Sequence, residues 1–353
     1  MKQQHQDSEV TIGLDLGERR HRFCALDGKG EVVEEGSLNN DRVWLAGLSA
    51  RYQGALVVME AGAHSPWISR YLEGLGFEVI VANPRKVRAI YQDQRKSDQR
   101  DALMLARIGR MDRALLYQVR HGSEQAQQDL LRIKLRDSLV RARVSLINSV
   151  RFSLKSLGYA VRNPSSERFH KVAMEKLPEA VREMIAPSVQ ALAELSARIA
   201  VLEREISKLA QTKYPQALLL QQVPGVGALT ALYYVLKIED PTRFNNVRDV
   251  GAYAGLCPRR DQSGGSDPQL RISKCGDAYL RRLLVSAAQY ILGPFGPRSA
   301  LRDYGLMLAA GGTARAKKRA VVAVARKLCV LLLSLWKNQT AYQAYPDRTL
   351  RTE

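Results

Sequence analysis

The chain is short of acid. Its 353 residues carry 35 Asp and Glu against 54 Lys and Arg, a formal net charge of +19, which implies a polyanionic partner, nucleic acid or an anionic membrane surface. Long apolar runs are also missing: none approaches the roughly 20 residues of a spanning helix. The most apolar stretch, Val321 to Trp336, is interrupted by Arg326 and Lys327. The first ten residues, MKQQHQDSEV, lack the apolar core of a signal peptide. A cytoplasmic protein without a membrane partner, acting on DNA or RNA, is the expectation. Cysteine is scarce too. Cys24, Cys257, Cys275 and Cys329 form no C-x-x-C pair and have no His at zinc-ligand spacing, which excludes a zinc module and leaves reduced thiols. The five histidines are scattered; His64, four residues after Glu60, reads as a loop or core residue and receives no role.

Against this shortage, four acids stand out by position. Asp15 lies in VTIGLDLG, Glu60 in ALVVMEAG, and Asp98 and Asp101 in RKSDQRDA. The first two follow strand-like runs, and carboxylates beyond buried strands lie where α/β folds bind ligands. The second two share one helix face at i, i+3. Four gathered carboxylates repel unless cations neutralise them, and hard oxygen donors select Mg²⁺ or Mn²⁺. Two such ions stabilise the attacking and leaving oxygens of an in-line phosphoryl displacement. Each acid also has a plain reading: Asp15 as a turn residue before Gly17, Glu60 as a solvated strand end, Asp98 as an N-cap with Asp101 in the first turn. Taken singly these are at least as good. The joint order of strand, strand and helix favours the metal site.

The segment from about Val10 to Leu116 alternates strand-like runs (TIGLDL, HRFCALD, EVVEEGSL, ALVVMEA, FEVIVAN) with helical stretches around Trp44, Trp67 to Leu75 and Asp101 to Arg113. The GKG of LDGKGEVV marks a hairpin turn. A mixed sheet covered on both faces follows, compatible with a ribonuclease-H-like sheet. The middle of the chain, roughly Gly122 to Lys213, is helical. Leu192, Leu195, Ile199, Leu202, Ile206 and Leu209 make an a/d stripe, suited equally to a coiled coil between subunits and to a hairpin within one. The preceding helix, about Gln125 to Leu157, carries Arg132, Lys134, Arg136, Arg141, Arg143, Arg151 and Lys155 with only Asp129 and Asp137 as nearby acids, a face able to follow a phosphate backbone. Asn163, Pro164, Ser165 and Ser166 read as the loop between the two long helices.

The C-terminal part is mainly helical. Pro224, Gly225 and Gly227 in QQVPGVGAL sit between apolar helical stretches and resemble a helix-hairpin-helix, in which small residues admit phosphate close to the backbone. Then GLCPRRDQSGGSDPQLRISKCGDAYL places Ser263 before Gly264 and Gly265, among Arg259, Arg260, Arg271 and Lys274. A serine hydroxyl can attack phosphorus once deprotonated, and guanidinium groups can stabilise the resulting oxyanion. By spacing alone Ser266 or Ser273 serves as well. The expected division is 1–120 for the metal-binding domain, 121–215 for the basic helical and coiled-coil region, 216–345 for the C-terminal domain, and a 346–353 tail.

The order of D-L-G, an acidic strand end, K-S-D-x-x-D-A, V-P-G-V-G and S-G-G followed by R-I-S-K-x-G-D resembles the DEDD transposases of bacterial insertion sequences, the insertion-sequence one-hundred-and-ten family, across nearly the whole chain. The resemblance implies a RuvC-like N-terminal domain, with Asp15, Glu60, Asp98 and Asp101 as Mg²⁺ ligands and Ser263 as the serine that links covalently to DNA. It further implies a recombinase of element ends and target, both double-stranded DNA, paired by a noncoding bridge RNA. Dimers or tetramers with active sites shared between subunits are also implied. No ATP is needed, because a phosphoserine bond conserves the phosphodiester energy. Three alternatives remain: a metal-only junction endonuclease with Ser263 idle; an actin-like ATPase or sugar kinase, since IGLDLG resembles a first phosphate loop; and a non-enzymatic nucleic-acid scaffold.

Overall fold

A computed structural model describes residues 10–90, 97–162, 164–268 and 270–346. Lys96 of the K-S-D motif, Asn163, the first nine residues and most of the expected tail lie outside them. The chain divides into two compact units, 1–124 and 125–353, so the middle helices share a unit with the C-terminal ones.

In the first unit, β1 (Thr11–Asp15), β2 (Arg20–Leu26), β3 (Val32–Asn39), β4 (Leu56–Glu60) and β5 (Glu78–Ala82) form a mixed sheet in the order β3-β2-β1-β4-β5. The first three strands are antiparallel neighbours, and β1, β4 and β5 run parallel. The helices are α1 (Arg42–Arg51), α2 (Ser65–Gly74), α3 (Pro84–Ile90) and α4 (Asp98–Met111). Strand alternation sorts the side chains. Ile12, Leu14, Val57 and Met59 pack with Leu45, Leu48, Ile68 and Leu72 of α1 and α2 on one face. Leu56, Val58 and Ile80 pack with Leu105 and Ile108 of α4 on the other. This mixed, doubly covered sheet is compatible with the RuvC-like fold expected. The hairpin turn also lies where GKG places it: Gly30 N–H donates to Asp27 O and Asp27 N–H to Glu31 O, each at 3.0 Å.

The second unit begins with two long helices, α5 (Glu124–Ser156) and α7 (Glu179–Thr212), with α6 (Phe169–Lys176) between them. They run antiparallel: Asp129 meets Lys213 and Tyr214, Arg136 meets Glu203, and Arg143 meets Ser196. Leu192 packs with Ile147 and Val150, and Ile206 lies in one core with Ala126 and Leu130. Part of the Leu/Ile stripe is therefore occupied within the chain, as a helical hairpin. One expectation needs correction here. By length and composition alone α7 is apolar enough to cross a membrane; its apolar positions are spaced for packing and do not form one continuous run. The remaining helices are α8 (Pro215–Leu220), α9 (Ala228–Ile238), α10 (Asp249–Tyr253), α11 (Ala278–Leu292), α12 (Ala300–Ala309) and α13 (Ala314–Asn338). Tyr234 of α9, Leu284 of α11 and Leu328 of α13 are fully buried in their common core.

Candidate functional site: an acidic sheet edge and a serine arm

Glycine sets the position of α4. A Cβ on Gly13 would lie 1.9 Å from Ala102 O, and one on Gly109 would lie 2.5 Å from Val58 Cγ2, with Thr11 Cγ2 also near. Helix and strand thus touch backbone to backbone, and α4 runs antiparallel to β1 with its first turn over the strand's carboxyl end. Thr11 and Gly13 face α4, so the pleat turns Asp15 to the same side; Val58 faces α4, so Glu60 follows. Asp15 and Glu60 lie one step beyond the parallel Leu14–Met59 pair. Both are half-buried, as is Asp101, while Asp98 is exposed.

The four acids therefore reach one edge and one face of the sheet from three elements. Ser97, not Asp98, caps α4, its side chain accepting from Arg100 N. Asp98 and Asp101 are left in the first turn, where the helix dipole favours them. Two further residues of this face were not singled out in the sequence. Arg22 pairs across the strands with Asp15, and the Glu35 carboxylate accepts from Gln99 in the first turn of α4. Register alone reveals them, and register requires the sheet. Among the described residues, no three His, Cys, Asp or Glu side chains are grouped closely enough to hold a metal ion. The donor set nevertheless fits a hard divalent cation, being all oxygen and confined to one face. Gly13 also has a structural reason of its own, the contact with α4, so IGLDLG needs no phosphate loop to explain it.

Ser263 occupies a different setting. Through residues 257–268 and 270–273 the chain leaves the core as a largely exposed hairpin-like arm. Its base is paired by Arg259 N to Arg271 O at 2.9 Å and Ser273 N to Cys257 O at 2.8 Å. At the tip, Ser263 and Ser266 exchange both backbone hydrogen bonds, at 3.1 and 3.0 Å, around Gly264 and Gly265. Gly264 has φ +56°, the conformation that a two-residue hairpin turn requires. Cross-strand partners share a face, so Ser263 and Ser266 lie side by side. Ser273 is separate: it sits at the base, half-buried, with its Oγ 3.4 Å from the Cys275 N–H donor.

The arm's base is tightly held. A Cβ on Gly276 would fall 1.9 Å from Tyr253 O, and one on Gly255 would fall 2.7 Å from Gly276 N. Arg281 donates to the carbonyls of Ala254 and Gly276. Asp277 caps α11 through the N–H groups of Tyr279 and Leu280, accepts from Tyr233 and pairs with Lys237 at 3.2 Å. Burial alone would raise the Asp277 pKa, but the Leu280 amide and Lys237 outweigh it and hold the carboxyl below the usual range. The G-D of R-I-S-K-x-G-D is thus an anchor, a role not assigned from sequence.

The expected nucleic-acid contacts divide in the same way. On the arm, Arg259, Arg260, Arg271 and Lys274 are exposed. Arg260 reaches Asp267 at 3.4 Å, an open pair worth little. On α5 the expectation of few nearby acids fails, because α7 and the loop after α5 supply Glu203 and Glu167 from far along the chain. Arg132 pairs with Asp129, Arg136 with Glu203, and Arg141 with Asp137. Arg151 lies over the Phe169 ring, and Lys155 is exposed. Arg143 departs furthest from the expectation: it is 4% exposed and bonds Glu167 and Ser196, a buried pin between helices. In the V-P-G-V-G turn, Gly225 (φ +84°) backs onto α11, where a Cβ would meet Ala287 O at 2.9 Å, so its lack of a side chain is explained by packing. Gly227, exposed and with open space around it, precedes α9.

A carboxylate-edged mixed sheet joined to a strongly basic helical unit defines a protein that processes nucleic acid. Two family models match the chain: a DEDD transposase model of the IS110 type, described as Transposase, over residues 12–158, and the Transposase IS116/IS110/IS902 family over residues 217–302. Similar proteins include the transposase for insertion sequence element IS1328 of Yersinia enterocolitica, 30% identical over 79% of this chain and 83% of that one. The transposase for insertion sequence element IS1111A of Coxiella burnetii is 27% identical over 94% and 91%, and a pilin gene-inverting protein of Moraxella lacunata is 25% identical over 78% of each. The chain belongs to the IS110 family of DEDD transposases, DNA recombinases of insertion sequences. DNA is accordingly its substrate, and membership in a DEDD family implies use of a divalent metal.

Proposed function

We propose that the chain cuts and rejoins the DNA of an insertion sequence through a covalent serine intermediate. Asp15, Glu60, Asp98 and Asp101 would hold Mg²⁺ or Mn²⁺. The observation that carries this reading is the backbone contact of Gly13 with α4, which directs acids from β1, β4 and α4 to one edge. Bound there, a divalent cation supplies charge stabilisation at the scissile phosphate.

The Ser263 Oγ attacks phosphorus as its proton passes to a base. The phosphorus–oxygen bond to the leaving strand breaks, and that oxygen is protonated to a free hydroxyl. The phosphoserine bond keeps the phosphodiester energy for rejoining by the reverse attack of a strand hydroxyl. Arg259, Arg260, Arg271 and Lys274 would offset the oxyanion's charge. The tip of the arm is exposed within its own unit, so a base and a metal ion would come from another surface, of this chain or, as the family resemblance implies, of a second copy. The exposed cations of α5, Gly227 and a bridge RNA belong to the same reading, the RNA on the family resemblance alone.

Incubation with element-end DNA, the associated RNA and Mg²⁺, followed by mapping of the DNA-linked peptide, tests it. The expected adduct is at Ser263 and disappears in Ser263→Ala. Cleavage without any adduct would leave a metal-only endonuclease, and an adduct at Ser266 would move the nucleophile across the hairpin.

A further inference from the structure

A cleft of about 430 Å³ lies in the second unit where the V-P-G-V-G turn meets α11, a size that suits one small group. Pro224, Leu283 and Tyr290 form its apolar side, each with surface open to solvent. Thr230 and Ser286 bring hydroxyls to it, and among the described residues no Lys, Arg, Asp or Glu lines it. The turn is seated firmly against α11: a Cβ on Gly225 would meet Ala287 O at 2.9 Å and the Tyr290 ring at 3.0 Å.

Donors gather at this cleft without acceptors. Gly227 is the N-cap of α9 and offers no side-chain cap. The Ala231 amide donates to Gly227 O at 3.0 Å, but among the described residues the amides of Ala228, Leu229 and Thr230 have no acceptor. Open amides mark any uncapped helix; Thr230 adds an independent sign. It is 8% exposed, it lines the cleft, and its hydroxyl has no hydrogen-bond partner among the described residues. Thr212, by contrast, turns its hydroxyl back to Lys208 O at 3.0 Å. A buried hydroxyl left unpaired is costly. One anion placed here would satisfy the amides and the hydroxyl together, at the end of α9 where the helix dipole favours it.

We propose that the cleft grips one backbone phosphate of duplex DNA through the α9 amides and the Thr230 hydroxyl, with the adjoining deoxyribose against Leu283 and Tyr290. DNA is the substrate of the family. A duplex presents phosphate and sugar on its outside while its bases stay paired, and the cleft offers no second ring for stacking an unpaired base. Because every donor is neutral, the grip lacks the counterion release that Lys and Arg contacts bring. The helix behind the cleft leads to the serine arm: Asp277 caps α11 at the arm's base, and Ser286 stands roughly 14 Å along the same rod. The gripped phosphate is thereby held at a set distance from that base. The proposal deepens the reading of Gly227 as a DNA contact given above and does not need the serine chemistry.

The test uses full-length Ser263→Ala protein without Mg²⁺, so a failed serine reading leaves its readouts unmoved. Fluorescence anisotropy follows element-end duplex DNA over a salt series. Thr230→Val keeps the shape and removes the hydroxyl; it should weaken binding about tenfold with the log–log salt slope unchanged. Thr230→Ser should restore binding to within about twofold of the Thr230 protein. Tyr290→Ala, at a position 47% exposed, should weaken it about threefold. A single neutral methylphosphonate moved along each strand should find one position where the Thr230 protein loses affinity and Thr230→Val loses little more, the non-additivity of a direct contact. Undiminished binding in folded Thr230→Val overturns the proposal; if that variant does not fold, undiminished binding in Tyr290→Ala does. So does an equal loss in Thr230→Ser, a flattened salt slope, the lack of any coupled position, or a loss confined to duplex RNA.

Discussion

The acidic edge and the serine arm hold chemistry of the same reaction class in opposite ways. The acids stand at the ends of buried strands and on a helix seated against backbone, so their placement follows from the core of the first unit. Ser263 stands at the tip of an exposed turn whose position is set only at its base, by Gly255, Gly276, Asp277 and Arg281. Carboxylates on such an edge are held in place by the core behind them, and their mutual repulsion falls when a cation binds between them. On the serine reading proposed above, a nucleophile that bonds to one strand and then releases it would be carried on an arm that its own unit does not enclose.

The largest expected effect tests the acidic side of this contrast. Asp15→Asn should lower strand exchange by about 10³-fold, some 4 kcal/mol of barrier, while DNA binding by filter retention stays within a few-fold. Equal loss of binding and exchange would make the edge a scaffold.

Next comes a matched pair of glycine substitutions. Gly13→Ala forces a methyl group into the Ala102 carbonyl and should cost about 3 kcal/mol in a denaturant melt, with exchange lost as α4 shifts. Gly264→Ala meets open space and only the left-handed backbone penalty, about 1 kcal/mol, with adduct formation retained. Similar costs at both positions would erase the distinction between rigid edge and open arm.

Asp129→Asn sharpens the comparison within the second unit. Asp129 is 2% exposed and bonds Lys213, Tyr214 and Arg132 at the root of the α5–α7 hairpin. Burial works to raise its pKa, but the Lys213 and Tyr214 hydrogen bonds prevail and lower it. A depressed carboxyl contributes stability that is present above its unfolded value near 3.8 and is lost as pH falls through the folded value. Thermal melts should therefore show the wild type losing stability below about pH 4. The Asn variant, already weaker by about 3 kcal/mol at neutral pH, should show less of that acid dependence.

Much of this was legible in the sequence because it is periodic or local. Alternation placed the strands, the GKG turn placed the hairpin, and the strand-ending acids sit at the edge where their runs stop. What was not legible depends on residues far apart in the chain. The α5 arginines looked like an open basic face until α7 and the following loop brought Glu203 and Glu167 to them. Gly225 reads as a phosphate turn by its spacing, and only the tertiary structure shows that α11 also requires its lack of a side chain.

By itself the sequence determined the elements and their chemistry: strand and helix periods, a basic excess, four acids and a serine between glycines. Those follow from covalent order and side-chain type. Tertiary structure alone decided which charges are cancelled and which are presented, because an ion pair or a groove depends on distance in space. It turned Arg143 into a buried pin and brought Glu203 of α7 to Arg136.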